Sequence, residues 1–260
     1  LAYFRRGVAA ELTDARFGPE TGPLGLWEPV RFITTYGMGL FFLEAFDPAR
    51  IPVLFVHGTA GYPQEFDRLI AGLDRRRFQP WVYQYPSGLR LRLMGDALLS
   101  ALDEVRTRHR FDVLYIVGYS TGGLLARAVI NEQARRGAGA YVRLFVSIST
   151  PWDGHAAAAV GVQRSPVVVP SWVDIVEGSP YLSSLLAEPP PTSIPHHLYF
   201  SYRGGKGTDG TVSLRSQLNP RVQRGATRVL GFDEDHESML GSAAVQEALN
   251  QALGAVTPRR

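Results

Sequence analysis

Val113–Gly123 reads VLYIVGYSTGG, an apolar run of strand length that ends in a serine flanked by glycines. The residues that follow, up to about position 136, repeat apolar side chains at helical spacing. The sequence therefore predicts a buried strand, a tight turn and an amphipathic helix in direct succession. In an open α/β sheet, such a turn lies at the carboxyl end of the strand, where ligands bind.

Ser120 stands at the centre of this turn, in the pattern G-x-S-x-G. The pattern alone is weak in a chain with 27 glycines, but its position between a strand and a helix is what a nucleophile elbow requires. Gly118 and Gly122 leave room for the sharp turn. Ser120 is therefore the predicted nucleophile, and a chance junction with a capping serine is the alternative.

The rest of the chain alternates apolar runs of strand length with longer amphipathic segments. The other runs are 37–46, 53–56, 80–85, 144–148, 198–202 and 227–230, and the predicted helices are about 64–73, 91–109, 121–136 and 241–253. This alternation predicts an α/β fold with a mostly parallel central sheet and helices on both faces. The first and last of these runs are expected near the sheet edges. Gly137 is expected to end the third helix, and the Gly- and Pro-rich residues 18–29 are predicted to be irregular.

Residues 153–195 interrupt this alternation. They contain seven prolines and one clear helix signal, in which Ser179 caps, Pro180 occupies the first turn and Tyr181–Leu186 continues. An insertion of this length after a strand is more often functional than idle. We therefore expect a single domain over residues 1–260, in which residues 153–195 form a cap over the site.

A second glycine-rich loop follows the run 53–56 and reads His57-Gly58-Thr59-Ala60-Gly61. An acyl-transfer reaction places a negative charge on the former carbonyl oxygen, and preorganised N–H groups must meet it. The predicted donors are the backbone N–H groups of Thr121, directly after the nucleophile, and of Thr59 in this loop. An ordinary glycine-rich turn is the alternative for the loop. His57 is expected to have a structural role.

A serine nucleophile needs a base, and the order serine, acid, histidine along the chain favours a late histidine. His236, in the polar loop 232–238, meets this condition best among the six histidines. Asp209, between glycines in the loop after the run 198–202, is the predicted acid that orients the imidazole. The remaining candidates for the acid are Asp174, Glu177, Asp233 and Asp235.

Taken together, these motifs resemble those of the α/β-hydrolase lipases and esterases. The resemblance rests on the loop 57–61, the serine elbow, the stretch STPWDG at 149–154, the stretch DGTV at 209–212 and the late histidine. It spans about residues 50–240 and is closest to the bacterial triacylglycerol-lipase-like and GPI inositol-deacylase-like proteins. It implies a triad at the matching Ser120, Asp209 and His236. Such lipases often read H-S-M-G-G at the elbow, where this chain has Tyr119 and Thr121, so the substrate scope stays open.

The bulk composition narrows the function classes. The chain has 260 residues, of which 45% are hydrophobic, and this is enough for a full core. A net charge of +3 with scattered arginines gives no continuous basic stripe for a nucleic acid. Without cysteine there is no thiolate nucleophile, and no apolar stretch approaches the ~20 residues of a membrane helix. Leu1 in place of Met indicates a trimmed or processed chain, so export or anchoring through an upstream segment stands beside a cytoplasmic location.

The sequence therefore predicts a serine carboxylic-ester hydrolase, an esterase or lipase, that forms an acyl-enzyme on Ser120. No cofactor or metal is expected, and H-E-x-x-H spacing is absent from the sequence. The expected substrate is a small-molecule or lipid ester, held in an apolar pocket to which Trp152 contributes. A thioesterase or amidase with the same residues is the alternative. A catalytically idle binding protein of this fold is a further alternative from another class.

Overall fold

One eight-stranded sheet forms the centre of the computed structural model, which describes residues 3–136, 140–189 and 191–255. Gly137, predicted to end a helix, lies outside the described residues. The strands are β1 (Phe4–Ala9), β2 (Met38–Phe42), β3 (Ile51–Val56), β4 (Phe78–Gln84), β5 (Leu114–Tyr119), β6 (Val142–Ile148), β7 (His196–Ser201) and β8 (Arg228–Phe232).

The strand order across the sheet is β1-β2-β4-β3-β5-β6-β7-β8. β2 runs antiparallel to β4, and the other neighbouring pairs are parallel. The predicted mostly parallel sheet is thus confirmed, with β2 next to one edge strand and β8 at the opposite edge. Because β3, β5, β6 and β7 are parallel neighbours, the loops that follow them meet at one end of the sheet.

The helices are α1 (Thr21–Trp27), α2 (Pro29–Tyr36), α3 (Asp67–Ala71), α4 (Leu91–His109), α5 (Thr121–Arg136), α6 (Ala156–Arg164), α7 (Pro170–Asp174), α8 (Pro180–Leu185), α9 (Leu214–Gln217), α10 (Pro220–Gly225) and α11 (Ala243–Ala255). Short 3-10 helices lie at Ala15–Phe17, Pro63–Phe66 and Ser238–Gly241. Within the described part of the chain, no helix combines the length and the apolar character needed to cross a bilayer.

The hydrophobic core is divided by the sheet. Along β3, Leu54 and Val56 belong to one buried cluster, and Val53 and Phe55 belong to another. Successive side chains of a strand point to opposite faces, so the two clusters lie on opposite sides of the sheet. The first cluster includes the apolar faces of α4 and α5, and the second includes those of α3 and α11. Helices therefore cover both faces, as the sequence predicts.

The prediction that residues 18–29 are irregular is wrong for most of them, since 21–27 form α1 and Pro29 begins α2. Pro29 occupies the first turn of α2, where a missing N–H costs nothing. The glycines of α1 allow close contacts rather than a loop. A Cβ on Gly22 would lie 2.0 Å from the carbonyl oxygen of Ala60. Strand β1 is also absent from the predictions, because its exposed arginines hide an edge strand.

The segment 153–195 between β6 and β7 contains three helices, α6, α7 and α8. The helix signal at Ser179 is confirmed, since its side chain accepts a hydrogen bond from the backbone N–H of Leu182. Hydrogen bonds connect the middle of this segment to the start of α4. There the buried Asp174 accepts hydrogen bonds from the Arg90 guanidinium and, at 2.7 Å, from the backbone N–H of Leu91.

Candidate active site

Ser120 is the single residue that separates β5 from α5. Its φ of 51° is in the left-handed region, which non-glycine residues rarely adopt and which functional sites often contain. Gly118 and Gly122 have to be glycines because a side chain at either position would clash with the backbone. A Cβ on Gly118 would lie 2.6 Å from the Cα of Gly123, and one on Gly122 would lie 2.1 Å from the carbonyl oxygen of Val56. The turn therefore has the tight geometry of a nucleophile elbow.

The structure brings the three residues predicted as a triad into one hydrogen-bonded line. The Nε2 atom of His236 lies 3.2 Å from the Oγ atom of Ser120, and its Nδ1 atom lies 2.7 Å from Oδ2 of Asp209. Asp209 follows β7 and His236 follows β8, at the same end of the sheet as the serine. All three side chains are buried or nearly so. This is the arrangement in which an imidazole can take a proton from a hydroxyl.

Asp209 is enclosed by hydrogen-bond donors. Its Oδ1 atom accepts from the backbone N–H groups of Thr211 and Val212, and its Oδ2 atom also accepts from Ser201 and from Gln217. Burial acts to raise the pKa of Asp209, but the hydrogen bond and charge of the imidazole, together with the other donors, lower it below its usual value. The carboxylate is thus held ionised, ready to orient and stabilise an imidazolium.

Tyr119, directly before the nucleophile, supports the histidine loop. Its hydroxyl donates a 2.9 Å hydrogen bond to the backbone carbonyl of His236, and the two rings lie 5.1 Å apart. Burial raises the pKa of this tyrosine well above its usual value. The sequence singled out Tyr119 only as a departure from the lipase pattern, and its contact with a residue 117 positions away could not be read from it.

The loop 57–61 packs directly on Ser120. A Cβ on Gly58 would lie 2.7 Å from Cβ of Ser120, so only glycine fits there. The hydroxyl groups of Thr59 and Thr121 lie 3.2 Å apart, so the two residues predicted to supply the oxyanion donors are neighbours. The backbone N–H of Ala60 donates to the side chain of Ser87 at 2.9 Å and fixes the far end of the loop.

His57 lies away from the hydrogen-bonded line. Its ring stacks on Tyr85 with a centroid distance of 4.2 Å, and its Nδ1 atom lies 3.0 Å from the carbonyl oxygen of Gly58. Burial lowers the pKa of His57 to about 4, so the ring is neutral at physiological pH. These contacts place it beneath the loop as a packing residue.

A cavity of about 700 Å³ opens above Ser120. Its walls include Trp172 and Ile175 from the segment 153–195 and Leu240 from the last 3-10 helix. Trp152, predicted to contact substrate, is not among the lining residues. Its ring is buried against Phe145 and His196 in the core, because the chain turns inward after Pro151. Among the described residues, no group of His, Asp or Glu has an arrangement that could hold a metal ion.

No protein-family model matches the chain, and a search of curated proteins finds no match. Solved structures are similar at low sequence identity. A lipase from Bacillus licheniformis in its mature form is 18% identical, covers 82% of this chain and 95% of its own, and has a TM-score of 0.62. Lipase B from Aspergillus fumigatus is 16% identical, covers 84% of this chain and 57% of its own, and has a TM-score of 0.64.

A third similar structure is the 2-hydroxy-6-oxo-6-phenylhexa-2,4-dienoate hydrolase from a Rhodococcus strain. It is 14% identical, covers 80% of this chain and 92% of its own, and has a TM-score of 0.56. Structural similarity at such low sequence identity shows a shared fold but not a shared reaction. The chain therefore has the α/β-hydrolase fold, as its motifs predict, and its activity has to be argued from the site.

Proposed function

We propose that this protein is a serine hydrolase that cleaves carboxylic esters through an acyl-enzyme on Ser120. The observation that carries the proposal is the hydrogen-bonded line from the Ser120 hydroxyl through His236 to Asp209. Two further observations support it. The line lies at the wall of a large cavity, and the similar solved structures include two lipases.

In the first half of the reaction, the Oγ atom of Ser120 attacks the ester carbonyl carbon while Nε2 of His236 takes the hydroxyl proton. Asp209 stays ionised and stabilises the imidazolium. The backbone N–H groups of Thr59 and Thr121 hold the oxyanion, a role worth about 10²–10³ in rate for each donor. The C–O bond to the alcohol then breaks, and the alcohol leaves with the proton from His236.

In the second half, water attacks the acyl-enzyme and gives a proton to His236. The bond between the acyl group and Ser120 breaks, the carboxylic acid leaves, and the serine recovers its proton. No step in this sequence requires a cofactor. The same residues could cleave a thioester or an amide, since the nucleophile, base and oxyanion donors are common to these acyl transfers.

We further propose that residues 1–260 form one domain in which residues 153–195 act as the cap. Trp172 and Ile175 of this segment provide apolar surface on the cavity wall, opposite the polar loop 57–61. A wall of this kind fits the acyl or alcohol part of a small-molecule or lipid ester.

The test combines a fluorophosphonate probe with p-nitrophenyl esters of graded chain length, from acetate to laurate. We expect the probe to label Ser120 and the rate to fall at least about 10⁴-fold in Ser120→Ala. Ser183→Ala, which removes an exposed serine from α8, is the matched control and should behave like the wild type. Equal hydrolysis by Ser120→Ala and the wild type would refute the proposal.

Thioester and anilide analogues of the best substrate separate the related reactions. Turnover of the thioester without turnover of the oxygen ester would refute the ester assignment while keeping Ser120 as the nucleophile. An absence of both labelling and turnover would indicate a binding protein of this fold.

A further inference from the structure

Glu65 is a carboxyl group in the active-site cavity that the proposed reaction does not use. It lies in the 3-10 helix Pro63–Phe66, directly after the loop 57–61, and it lines the same cavity as Ser120. Within the described residues no donor forms a hydrogen bond of ordinary geometry with its fully buried Oε1 atom, although the backbone N–H groups of Tyr62 and Gly58 lie close enough to the carboxyl group to lower its pKa. Buried polar atoms without partners are rare in native proteins, and those that occur call for an explanation.

The carboxyl group of Glu65 lies against the loop that supplies the oxyanion donor. Its Oε1 atom is 2.9 Å from the place where a Cβ on Gly61 would stand, and the backbone nitrogen of Gly58 is 3.0 Å from the same place. Gly58 in turn contacts Ser120. Only the backbone of Gly58 and Gly61 therefore separates the carboxyl group of Glu65 from Ser120.

The surroundings of this carboxyl group favour its uncharged form. No described Arg, Lys or His forms an ion pair with Glu65, whose side chain is partly exposed but whose Oε1 atom is fully buried, and burying an unpaired carboxylate oxygen is costly. Burial raises the pKa of Glu65 to about 8, although the nearby backbone N–H groups of Tyr62 and Gly58 oppose the rise. Asp209, in contrast, has five hydrogen-bond donors and stays ionised.

We propose that Glu65 is a positioning residue of the hydrolase reaction, which supports the oxyanion loop as an uncharged carboxylic acid and blocks the reaction when it ionises. The proposal rests on the proposed function. Its physical basis is repulsion between like charges. A carboxylate beneath the loop would oppose the negative charge that develops on the substrate oxygen.

Other titratable groups face Glu65. None of those with a shifted pKa would ionise near pH 8 and cause the same loss of activity. Burial, reinforced by the charge of Glu65, raises the pKa of both Tyr62 and Tyr119. Burial also raises the pKa of Tyr85 and lowers that of His57 to about 4. The other charged side chains on this side of the cavity are Asp67, Arg68 and Glu237, all of them exposed.

The first experiment is the pH dependence of kcat/KM for the wild type, Glu65→Gln and Glu237→Gln. We expect the wild-type value to fall about tenfold per pH unit above about pH 8. Glu65→Gln keeps the shape of the neutral carboxyl group and cannot ionise, so it should lose this fall, whatever its rate at pH 7. Glu237→Gln, which alters an exposed carboxylate of the same cavity, should keep it. Persistence of the fall in Glu65→Gln would overturn the proposal.

The second experiment does not depend on turnover. Glutamate labelled with ¹³C at the side-chain carboxyl gives one resonance that Glu65→Gln removes, and its chemical shift reports ionisation in the wild type. Titration of this resonance near pH 8 supports the proposal, and titration at the ordinary glutamate value overturns it. A protein that hydrolyses no ester at any pH would refute the proposed function instead, and the resonance would still report the charge of Glu65.

Discussion

Two carboxyl groups lie near Ser120, and the protein treats them in opposite ways. Asp209 receives hydrogen bonds from two backbone N–H groups, two side chains and the imidazole of His236, and its pKa is lowered. Glu65 has a buried oxygen without a hydrogen-bond partner, and its pKa is raised to about 8, chiefly by burial. Burial alone therefore does not decide the charge of a carboxyl group. The hydrogen-bond donors and the charges around it also count.

The largest effect should follow from Asp209→Asn, which preserves the shape of the side chain and removes its charge. The imidazole would then lose the acceptor that fixes its tautomer, and kcat should fall about 10⁴-fold. Steady-state kinetics on the best p-nitrophenyl ester measure this loss. A fall of less than tenfold would mean that Asp209 does not act on His236 during the reaction.

Glu65→Gln should stabilise the fold by a few kcal/mol at pH 8 and by little at pH 5. A raised pKa means that the folded chain binds more protons than the unfolded chain between about 4.5 and about 8, so the wild type loses stability as the pH rises through this window. Each pKa unit corresponds to about 1.4 kcal/mol. Urea unfolding at both pH values measures the difference. A gain that is the same at pH 5 and pH 8 would contradict a neutral Glu65.

The smallest effect should follow from Ser201→Ala, which removes one of the donors to Asp209. A hydrogen bond to a charged group contributes about 1.5–3 kcal/mol to stability, and the remaining donors would limit the loss at the site. We expect a fall in kcat of about tenfold or less, with an unchanged KM. Unfolding measurements check the loss of stability, and kinetic measurements on the same sample check kcat and KM. A rate as low as that of Asp209→Asn would show that the donors do not act separately.

The sequence predicts much of the fold because periodicity and short motifs are local. Helices α4 and α5 fall at the predicted bounds, and the loops after β5, β7 and β8 contain the residues predicted as a triad. Strand β1 and helix α1 escape prediction because the arginines of the strand and the buried glycines of the helix obscure the apolar pattern. The sequence also cannot show which carboxyl groups become enclosed. Glu65 looks like a surface residue of an amphipathic segment until the loop 57–61 folds over it.

The ion pair between Arg90 and Asp174 has a consequence for how a ligand reaches the nucleophile. This contact holds the segment 153–195 near its midpoint. The segment therefore cannot move away as one rigid body unless the buried carboxylate of Asp174 loses its partners. In the proposed reaction, substrate would therefore enter and leave on either side of this contact. The opening nearest the cavity lies between α6 and the 3-10 helix at Ser238–Gly241, and the product acids and alcohols would leave there.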